Sequence, residues 1–299
     1  MKRKIVRHGS SSLTVTLPIK WVEKYKLKKG DEIDIEESGS NLIVSTKEES
    51  SPKKKIIKKD SYPFNKNNLS HLYQLGYDEI EIEIEDSKMI DEIKERLPYC
   101  TGYEIIDQKN NTLFIKSIVT TLDSEFDNLF RKTFLLTEEM GKEIISIVES
   151  NNFDKIKEIR NLESINNKFS DICIRILNKR GYKIQNRTMQ IYEVVKDLEK
   201  IADEFKYICD FLTKEKKLNK NLLNSLKDTV NYFTIFYKLF YTHEKKLKEE
   251  IYSKRKSLLD NLLKQIQSAK GKEALFIHYL INITQKTYEA AGGYFSLNL

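Results

Sequence analysis

Two carboxylates four residues apart, Glu199 and Asp203, have the residue types and the spacing that could bind a cation. Residues at positions i and i+4 of an α-helix lie on the same face, one turn apart. Such a pair could share a hard or borderline cation through its oxygen atoms, and the sequence guarantees neither side chain a lysine or arginine partner. Because acidic residues at this spacing are also common on solvated helix faces, a cation site and an ordinary polar surface both stay open.

A second candidate for chemistry is the N-terminal segment, where positive charge is concentrated. Residues 1–30 contain nine lysines and arginines and one acid, Glu23, whereas residues 31–50 contain seven acids and one lysine, Lys47. Over the whole chain 52 basic residues face 45 acidic ones, an excess too small to identify a partner. The local polarisation is more informative, because it is typical of a surface that binds an anion.

Little else in the sequence favours catalysis. No phosphate-binding loop of the G-x-x-x-x-G-K-[ST] type is present, and the four histidines lack the spacing of metal ligands or of a catalytic triad. The three cysteines are far apart and are expected to be reduced, buried thiols: Cys100, Cys173 and Cys209. No apolar run approaches the roughly 18 residues of a membrane span, and no signal-peptide core follows the N-terminal charges. A cytoplasmic protein without membrane insertion, and not an enzyme, is therefore predicted.

The elements that would position the basic segment lie in residues 1–50. In "LTVTL" apolar residues alternate with threonines, the period of a half-buried strand, and Pro18 ends that strand because proline has no amide hydrogen. A short helix from Ile19 to Tyr25 is predicted next, then a strand at "DEIDIEE", a turn at "ESGSN" and a returning strand at "LIVST". A unit this small has too few large apolar side chains for a core of its own, so it is expected to dimerise through its strands.

Residues 51–122 are predicted to form a linker followed by a small α+β domain. The lysine run "SPKKKIIKKDSYP" is bounded by prolines and has the composition of a solvated connector, with a nucleic-acid tether as the alternative. Helices are predicted at 68–75 and 87–97, and strands at "EIEIEIE", "YEIID" and "TLFIKSIV". No catalytic constellation lies in this region, so a spacer or a second dimer contact is its expected role.

Residues 123–299 are predicted to be almost wholly helical, since they contain no proline. The interruptions assigned to glycine are Gly141, Gly181, Gly271, Gly292 and Gly293. Amphipathic periodicity gives six segments, at roughly 124–149, 153–179, 186–213, 219–242, 245–268 and 272–291. Six helices with short connections indicate two three-helix bundles.

The N-terminal unit resembles a known family. The order of "GSSSLTVTLP", a short helix with Trp21, and "LKKGDEIDIE" is similar to the AbrB/MazE/SpoVT family over Lys4 to about Thr46. The resemblance implies a swapped-hairpin dimer that binds double-stranded DNA, with a unit that only dimerises as the alternative. Lysines are expected mainly on phosphates and Arg7 on a base edge. The residues predicted to contact DNA are Lys2, Arg3, Lys4, Arg7, His8, Ser10, Ser11, Ser12 and Lys20.

The helical region carries a second resemblance. "DLEKIADEFKYI" is similar to the repeat signature of the PhoU family, in which an E/D-x-x-x-D step on the third helix of each three-helix repeat helps to form a metal cluster. The step falls on Glu199 and Asp203, with Asp210 farther along, and the preceding helix would supply Glu163. The resemblance implies iron or zinc as the metal ion.

The second repeat departs from that signature. In "LINITQKTYEAAGGY", Asn282 and Lys286 stand where the resemblance places acids. An amide oxygen could still bind a metal, but a lysine ammonium is a cation and cannot replace a carboxylate ligand. One metal site or none is therefore expected.

Residues 1–50 form the predicted head, residues 51–122 the connector and residues 123–299 the helical body. Together, these three parts resemble archaeal proteins described as phosphate uptake regulators. This resemblance implies a dimeric, DNA-binding transcriptional regulator of phosphate homeostasis, whose helical body receives a signal. That signal would be a metal, a phosphate-linked state, or a partner such as a phosphate transporter ATPase or a sensor kinase. The alternative is a PhoU-type adaptor that docks on such a partner, with the N-terminal domain serving only dimerisation.

Overall fold

The computed structural model describes residues 2–38, 41–46, 52–59, 64–119 and 123–298. The chain forms two compact units, Met1–Pro52 and Lys53–Leu299. The centre of the turn predicted at "ESGSN" and both predicted domain boundaries, after residues 50 and 122, lie outside the described residues. The division into 1–50, 51–122 and 123–299 therefore stays a prediction.

The first unit consists of two antiparallel hairpins and one short helix. Its elements are β1 (Val6–His8), β2 (Ser12–Thr14), α1 (Ile19–Lys24), β3 (Ile33–Ser38) and β4 (Asn41–Thr46). β1 pairs with β2, and β3 pairs with β4. Pro18 precedes α1 at a φ of −65°, and its carbonyl oxygen accepts hydrogen bonds from the amides of Trp21 and Val22. The fixed φ of proline thus starts the helix where the sequence predicts it.

The strand predicted at "LTVTL" is shorter in the structure than the alternation indicates. β2 ends at Thr14, and within the described chain residues 15–17 belong to no strand. None of the described side chains of this unit is buried, and Leu13, Ile5 and Leu42 are 70%, 69% and 64% exposed. One chain has too few apolar side chains here to enclose a core. The apolar face of the strand predicted at "LTVTL" therefore lies on the surface.

The connector combines a four-stranded sheet with two helices. Its elements are β5 (Lys54–Ile57), α2 (Lys66–Gln74), β6 (Glu79–Glu83), α3 (Ser87–Arg96), β7 (Tyr103–Lys109) and β8 (Thr112–Ser117). The strand order is β5-β6-β8-β7, with β5 parallel to β6 and the other pairs antiparallel. Ile80, Ile82 and Leu113 of the sheet are buried, as are Leu69 of α2 and Ile93 of α3, so the helices and the sheet share one core.

The interpretation of the lysine run as a linker is wrong for its central part, which forms β5. Ile57 is buried, and the run pairs in register with β6 from Lys54 opposite Glu79 to Ile57 opposite Ile82. The side chain of Lys54 also makes an ion pair with Glu79. An acidic neighbouring strand therefore stabilises a basic segment that in isolation has the composition of a solvated connector.

The helical body follows the predicted plan. Within its described residues the long helices are α4 (Phe126–Ser150), α5 (Ile156–Arg180), α6 (Thr188–Glu215), α7 (Lys220–Thr242), α8 (Lys245–Ser268) and α9 (Lys272–Leu297). α4, α5 and α6 pack on one another, as do α7, α8 and α9. α6 packs on α9 and α4 on α7, which joins the two bundles. The predicted pair of three-helix bundles is confirmed.

Three glycines predicted as interruptions lie inside helices. Gly141 is within α4, and Gly292 and Gly293 are within α9. A Cβ on Gly141 would come within 2.8 Å of Val230 on α7, and one on Gly293 within 2.8 Å of Val194 on α6. Gly141 and Gly293 are therefore present because the two bundles approach closely there, and not because a helix ends.

Candidate functional site

The hairpin β1–β2 gathers the central part of the predicted DNA surface. Arg7 pairs with Leu13 and His8 pairs with Ser12, and Gly9 turns the chain at a φ of +72°. This left-handed conformation suits glycine, which has no side chain to clash. The Nη2 atom of Arg7 donates a hydrogen bond to the carbonyl oxygen of Ser10 at 2.9 Å, and the hydroxyl of Ser12 donates to that of His8. These two hydrogen bonds hold the loop of the hairpin to β1, the strand that carries Arg7.

These side chains are all available to a ligand. Arg7, His8 and the three serines at positions 10, 11 and 12 are exposed, and so are residues 2–4, which lead into β1. Lys20 is exposed on a separate element, α1. A guanidinium, an imidazole and several hydroxyls on one hairpin can bind phosphate oxygens, and a guanidinium can also reach a base edge.

The second candidate is a row of polar side chains, most of them carboxylates, where α5 packs on α6, and this contact line is named the α5–α6 groove. On α5, Glu163, Asn167 and Asp171 follow one another at intervals of four residues, and on α6 Glu199 and Asp203 do the same. Burial raises the pKa of Glu163, the ammonium of Lys206 acts against this, and the neighbouring carboxyl of Asp203 adds to it. The structure places Glu163 and Asp203 close enough to share a hydrogen-bond donor, Lys206.

Two lysines of α6 engage the predicted metal ligands. The Nζ atom of Lys206 donates to Glu163 Oε1 at 2.8 Å and to Asp203 Oδ1 at 2.5 Å. Lys196 donates to Glu199 Oε2. Burial acts to lower the pKa of Lys206, but the hydrogen bonds that it donates to both carboxylates outweigh burial and raise that pKa. The sequence analysis missed both lysines, although their spacing of three residues from Glu199 and Asp203 was a usable signal.

A metal ion needs more ligands than these side chains offer. Divalent cations take several oxygen ligands at once, with carboxylates and amide oxygens preferred. Among the described residues, no group of three or more histidine, cysteine, aspartate or glutamate side chains is arranged to hold a metal ion. Glu163 and Asp203 share an ammonium, and Glu199 is paired with Lys196. As arranged, these side chains do not fit a metal centre.

Asn167 lies on the α5 side of this groove, between Glu163 and Asp171. Its Nδ2 atom donates to Glu163 Oε1 at 2.7 Å. Its Oδ1 atom is shielded from solvent and, within the described residues, has no hydrogen-bond partner. A buried amide oxygen without a donor is rare in proteins, because desolvation is then uncompensated. Sequence reasoning also missed this residue, because its signal lies only in the interval of four from Glu163.

Asp171 lies at the end of the groove that faces the connector. It accepts a hydrogen bond from Gln74 Nε2 at 2.6 Å, and Arg96 lies 3.8 Å away. Burial raises the pKa of Asp171 to about 6, with the charge of Glu199 adding to the shift. The groove therefore extends from the predicted ligands to residues of α2 and α3.

In the second bundle, Asn282 faces an acid of α6 that the sequence analysis did not single out. Its Nδ2 atom donates to Glu204 Oε1 at 3.0 Å and lies 3.1 Å from His278 Nε2. Burial raises the pKa of Glu204, and Asn282 acts against the shift. Lys286 lies one turn beyond Asn282 and is 4.0 Å from Glu289.

Comparison with known families gives two matches. Residues 6–57 match the family described as "Antidote-toxin recognition MazE, bacterial antitoxin", and residues 130–212 match the PhoU domain. The N-terminal part of the chain is therefore similar to MazE, and its first helical bundle is similar to the PhoU domain. The first match contains both N-terminal hairpins and extends into β5; the second contains Glu163, Glu199 and Asp203. Neither the curated proteins nor the solved structures yield a match.

The two matches limit the class of protein. Both families are non-catalytic, and together they support a regulator or a PhoU-type protein. The PhoU match ends within α6, so it covers the bundle of α4, α5 and α6. None of the helices in the described ranges combines the length and the apolar character needed to span a bilayer.

Proposed function

We propose that this protein is a dimeric DNA-binding transcriptional regulator of phosphate uptake. In this proposal the MazE-like head binds double-stranded DNA, and the PhoU domain senses a signal or docks on a partner. The observation that carries it is the exposed hairpin on which Arg7, His8 and Ser12 lie together. The phosphate part rests on the PhoU match and on the resemblance to phosphate uptake regulators.

The head supports the dimer because it has apolar side chains but no core. Leu13 on β2 and Leu42 on β4 are both largely exposed in the single chain. Burying such side chains contributes about 1.5–3 kcal/mol each, so pairing with a second copy would stabilise a unit of this size. Two copies of the basic hairpin would then lie on one twofold assembly, which suits a palindromic duplex.

The test is DNA binding by the full-length protein at two salt concentrations, on its own upstream region and on a scrambled duplex. The hairpin variant, Lys4→Ala/Arg7→Ala, removes two cations per chain, one from the segment that leads into β1 and one from β1 itself. If these four positive charges per dimer contact phosphates, the slope of log affinity against log salt falls by about 3 to 4. The matched control, Lys245→Ala/Lys246→Ala, removes the same charge from exposed positions of α8 and leaves binding unchanged.

The outcomes separate the proposal from its alternative. Selective, salt-sensitive binding that is lost only in the hairpin variant supports a transcription factor. Equal and weak retention of all three proteins on both duplexes contradicts DNA recognition by the head. The adaptor hypothesis, with docking on a transporter ATPase or a sensor kinase, then takes its place.

A further inference from the structure

We propose that Lys206 is a built-in counter-ion, whose ammonium takes the place in the α5–α6 groove that a metal ion would occupy in a metal-binding PhoU domain. The first bundle would then be held together by a covalently tethered cation. This inference concerns the helical body alone and does not depend on DNA binding.

The position of the ammonium carries the proposal. Lys206 follows Asp203 by three residues on α6, and Glu163 comes from α5. The Nζ atom lies 2.8 Å from Glu163 Oε1 and 2.5 Å from Asp203 Oδ1, so it joins one carboxylate of each helix. The side chain of Lys206 is only 17% exposed. The ammonium therefore joins the two helices through carboxylate oxygens, as a metal ion bound between them would.

Charge explains why the lysine and a metal exclude each other. Two carboxylates carry two negative charges, and the ammonium neutralises one of them. A divalent cation between the same oxygens would lie within a few ångströms of Nζ, where two positive charges in a partly desolvated site repel strongly. The lysine would have to leave before a metal could enter.

The second bundle shows a related substitution. Lys286 stands at the position where the signature of the family has an acid, and its charge acts on the buried carboxyl of Glu204. Asn282, at the other signature position, donates its amide to the same carboxyl. Lys286 and Asn282 of α9 therefore both act on Glu204 of α6, although the ion pair of Lys286 is with Glu289, at 4.0 Å.

The orphan amide oxygen indicates what a metal could use once the lysine is gone. Asn167 Oδ1 lies one turn from Glu163 and has no hydrogen-bond partner in the described chain. Without Lys206, the carboxylates of Glu163 and Asp203 would supply oxygen donors, and Asn167 lies on the same face of α5 as Glu163. Such a set suits Mn²⁺, which prefers oxygen ligands.

The test compares metal binding by the full-length wild type with that of Lys206→Met, which removes the ammonium and keeps the apolar length. Both proteins are dialysed against chelator, loaded with Mn²⁺, desalted and analysed for all metals by mass spectrometry. We expect no stoichiometric metal in the wild type and about one Mn²⁺ per chain in the variant, whose melting temperature then rises with added Mn²⁺.

A matched control is Lys142→Met. It removes an ammonium that pairs with a single largely buried carboxylate, that of Glu138, at 2.8 Å. This variant is expected to bind no Mn²⁺. The triple variant Glu163→Gln/Asp203→Asn/Lys206→Met, which lacks both the charges and the ligands, should bind none either.

Other results would overturn the proposal. Stoichiometric metal in the wild type that Glu163→Gln/Asp203→Asn removes would show that the groove is a metal site despite Lys206. A folded Lys206→Met protein without metal uptake would show that the lysine does not occupy a cation position. If Lys206→Met is unfolded without metal, its refolding in Mn²⁺ supports the proposal. If Lys206→Met does not refold in Mn²⁺ although the triple variant folds, the proposal is contradicted.

Discussion

The guanidinium of Arg175 in α5 lies 2.6 Å from the carboxylate of Asp78, in the loop before β6. The same side chain donates to the carbonyl oxygens of Tyr73 and Tyr77, and it lies over the ring of Tyr103. Arg175 is 6% exposed, so these bonds are made away from solvent. One helical residue therefore fastens the connector to the first bundle.

Replacing Arg175 by methionine should loosen that attachment. The change removes hydrogen bonds to two carbonyl oxygens and one carboxylate, each of which keeps another donor. Breaking a buried, hydrogen-bonded charge pair costs about 3–5 kcal/mol, and these remaining donors reduce the loss. Because Lys179 also binds Asp78, at 2.7 Å, we expect a loss of about 2–4 kcal/mol in the free energy of unfolding. Urea denaturation measures it. Lys179→Met, at a more exposed position, should cost less than about 1 kcal/mol, and equal losses in the two variants would contradict this assignment.

Asp171 is expected to make the protein less stable as the pH rises from about 4 to 6. Its pKa is raised from 3.8 to about 6 by burial, so between these values the folded state binds a proton that the unfolded state has released. The stabilisation is complete below the unfolded pKa and is lost as the pH passes the folded one. Arg96, Lys196 and Glu199 face this carboxyl and modulate the shift.

The variant Asp171→Asn removes this titration while its Oδ1 atom can still accept from Gln74. We expect the difference in unfolding free energy between variant and wild type to grow by roughly 1–3 kcal/mol between pH 4 and pH 7, in favour of the variant. Denaturation at a series of pH values measures the difference. A constant difference across that range would show that Asp171 does not titrate there.

The helical body could be predicted from sequence because its signal is local. An apolar period near 3.6 and polar connections define each helix, and the structure reproduces all six predicted segments within its described residues. The β5 strand could not be found in this way. β5 pairs with an acidic strand, with Glu79 opposite Lys54, and that partner is distant in the sequence. Composition alone assigns such a lysine run to a linker.

The candidate site shows the same limit. The step from Glu199 to Asp203 is visible in the sequence, but the pairing of Lys206 with Glu163 joins residues 43 positions apart. Whether two helical carboxylates face solvent, a metal or an ammonium depends on the neighbouring helix. Spacing on one helix identifies the face, and only tertiary packing identifies what lies opposite it.

Adjacent glycines of α9 provide a test of the contact between the bundles. A Cβ on Gly293 would lie 2.8 Å from Val194 Cγ2 and 3.2 Å from the carbonyl oxygen of Gln190, whereas one on Gly292 would meet nothing within 4 Å. Gly293→Ala should therefore lower the free energy of unfolding by about 1–3 kcal/mol through overpacking. Gly292→Ala should raise it by about 0.5–1 kcal/mol, because alanine favours the helix. Thermal denaturation of both variants measures the contrast, and a stabilising Gly293→Ala would contradict the close approach of α6 and α9.

The proposed dimer can be tested through Leu13, the most exposed large apolar side chain of β2. If a second copy covers it, Leu13→Asp places a charge in an apolar interface, and even an uncharged polar group buried there without a partner costs about 1–3 kcal/mol. We expect the full-length variant to become monomeric, so that its mass in sedimentation equilibrium halves and its DNA affinity falls. Thr16→Asp adds the same charge three residues farther along the extended chain, at an exposed polar position, and should leave the dimer intact. A Leu13→Asp protein that remains dimeric would place the interface elsewhere, and dissociation by both variants would indicate sensitivity to charge in general.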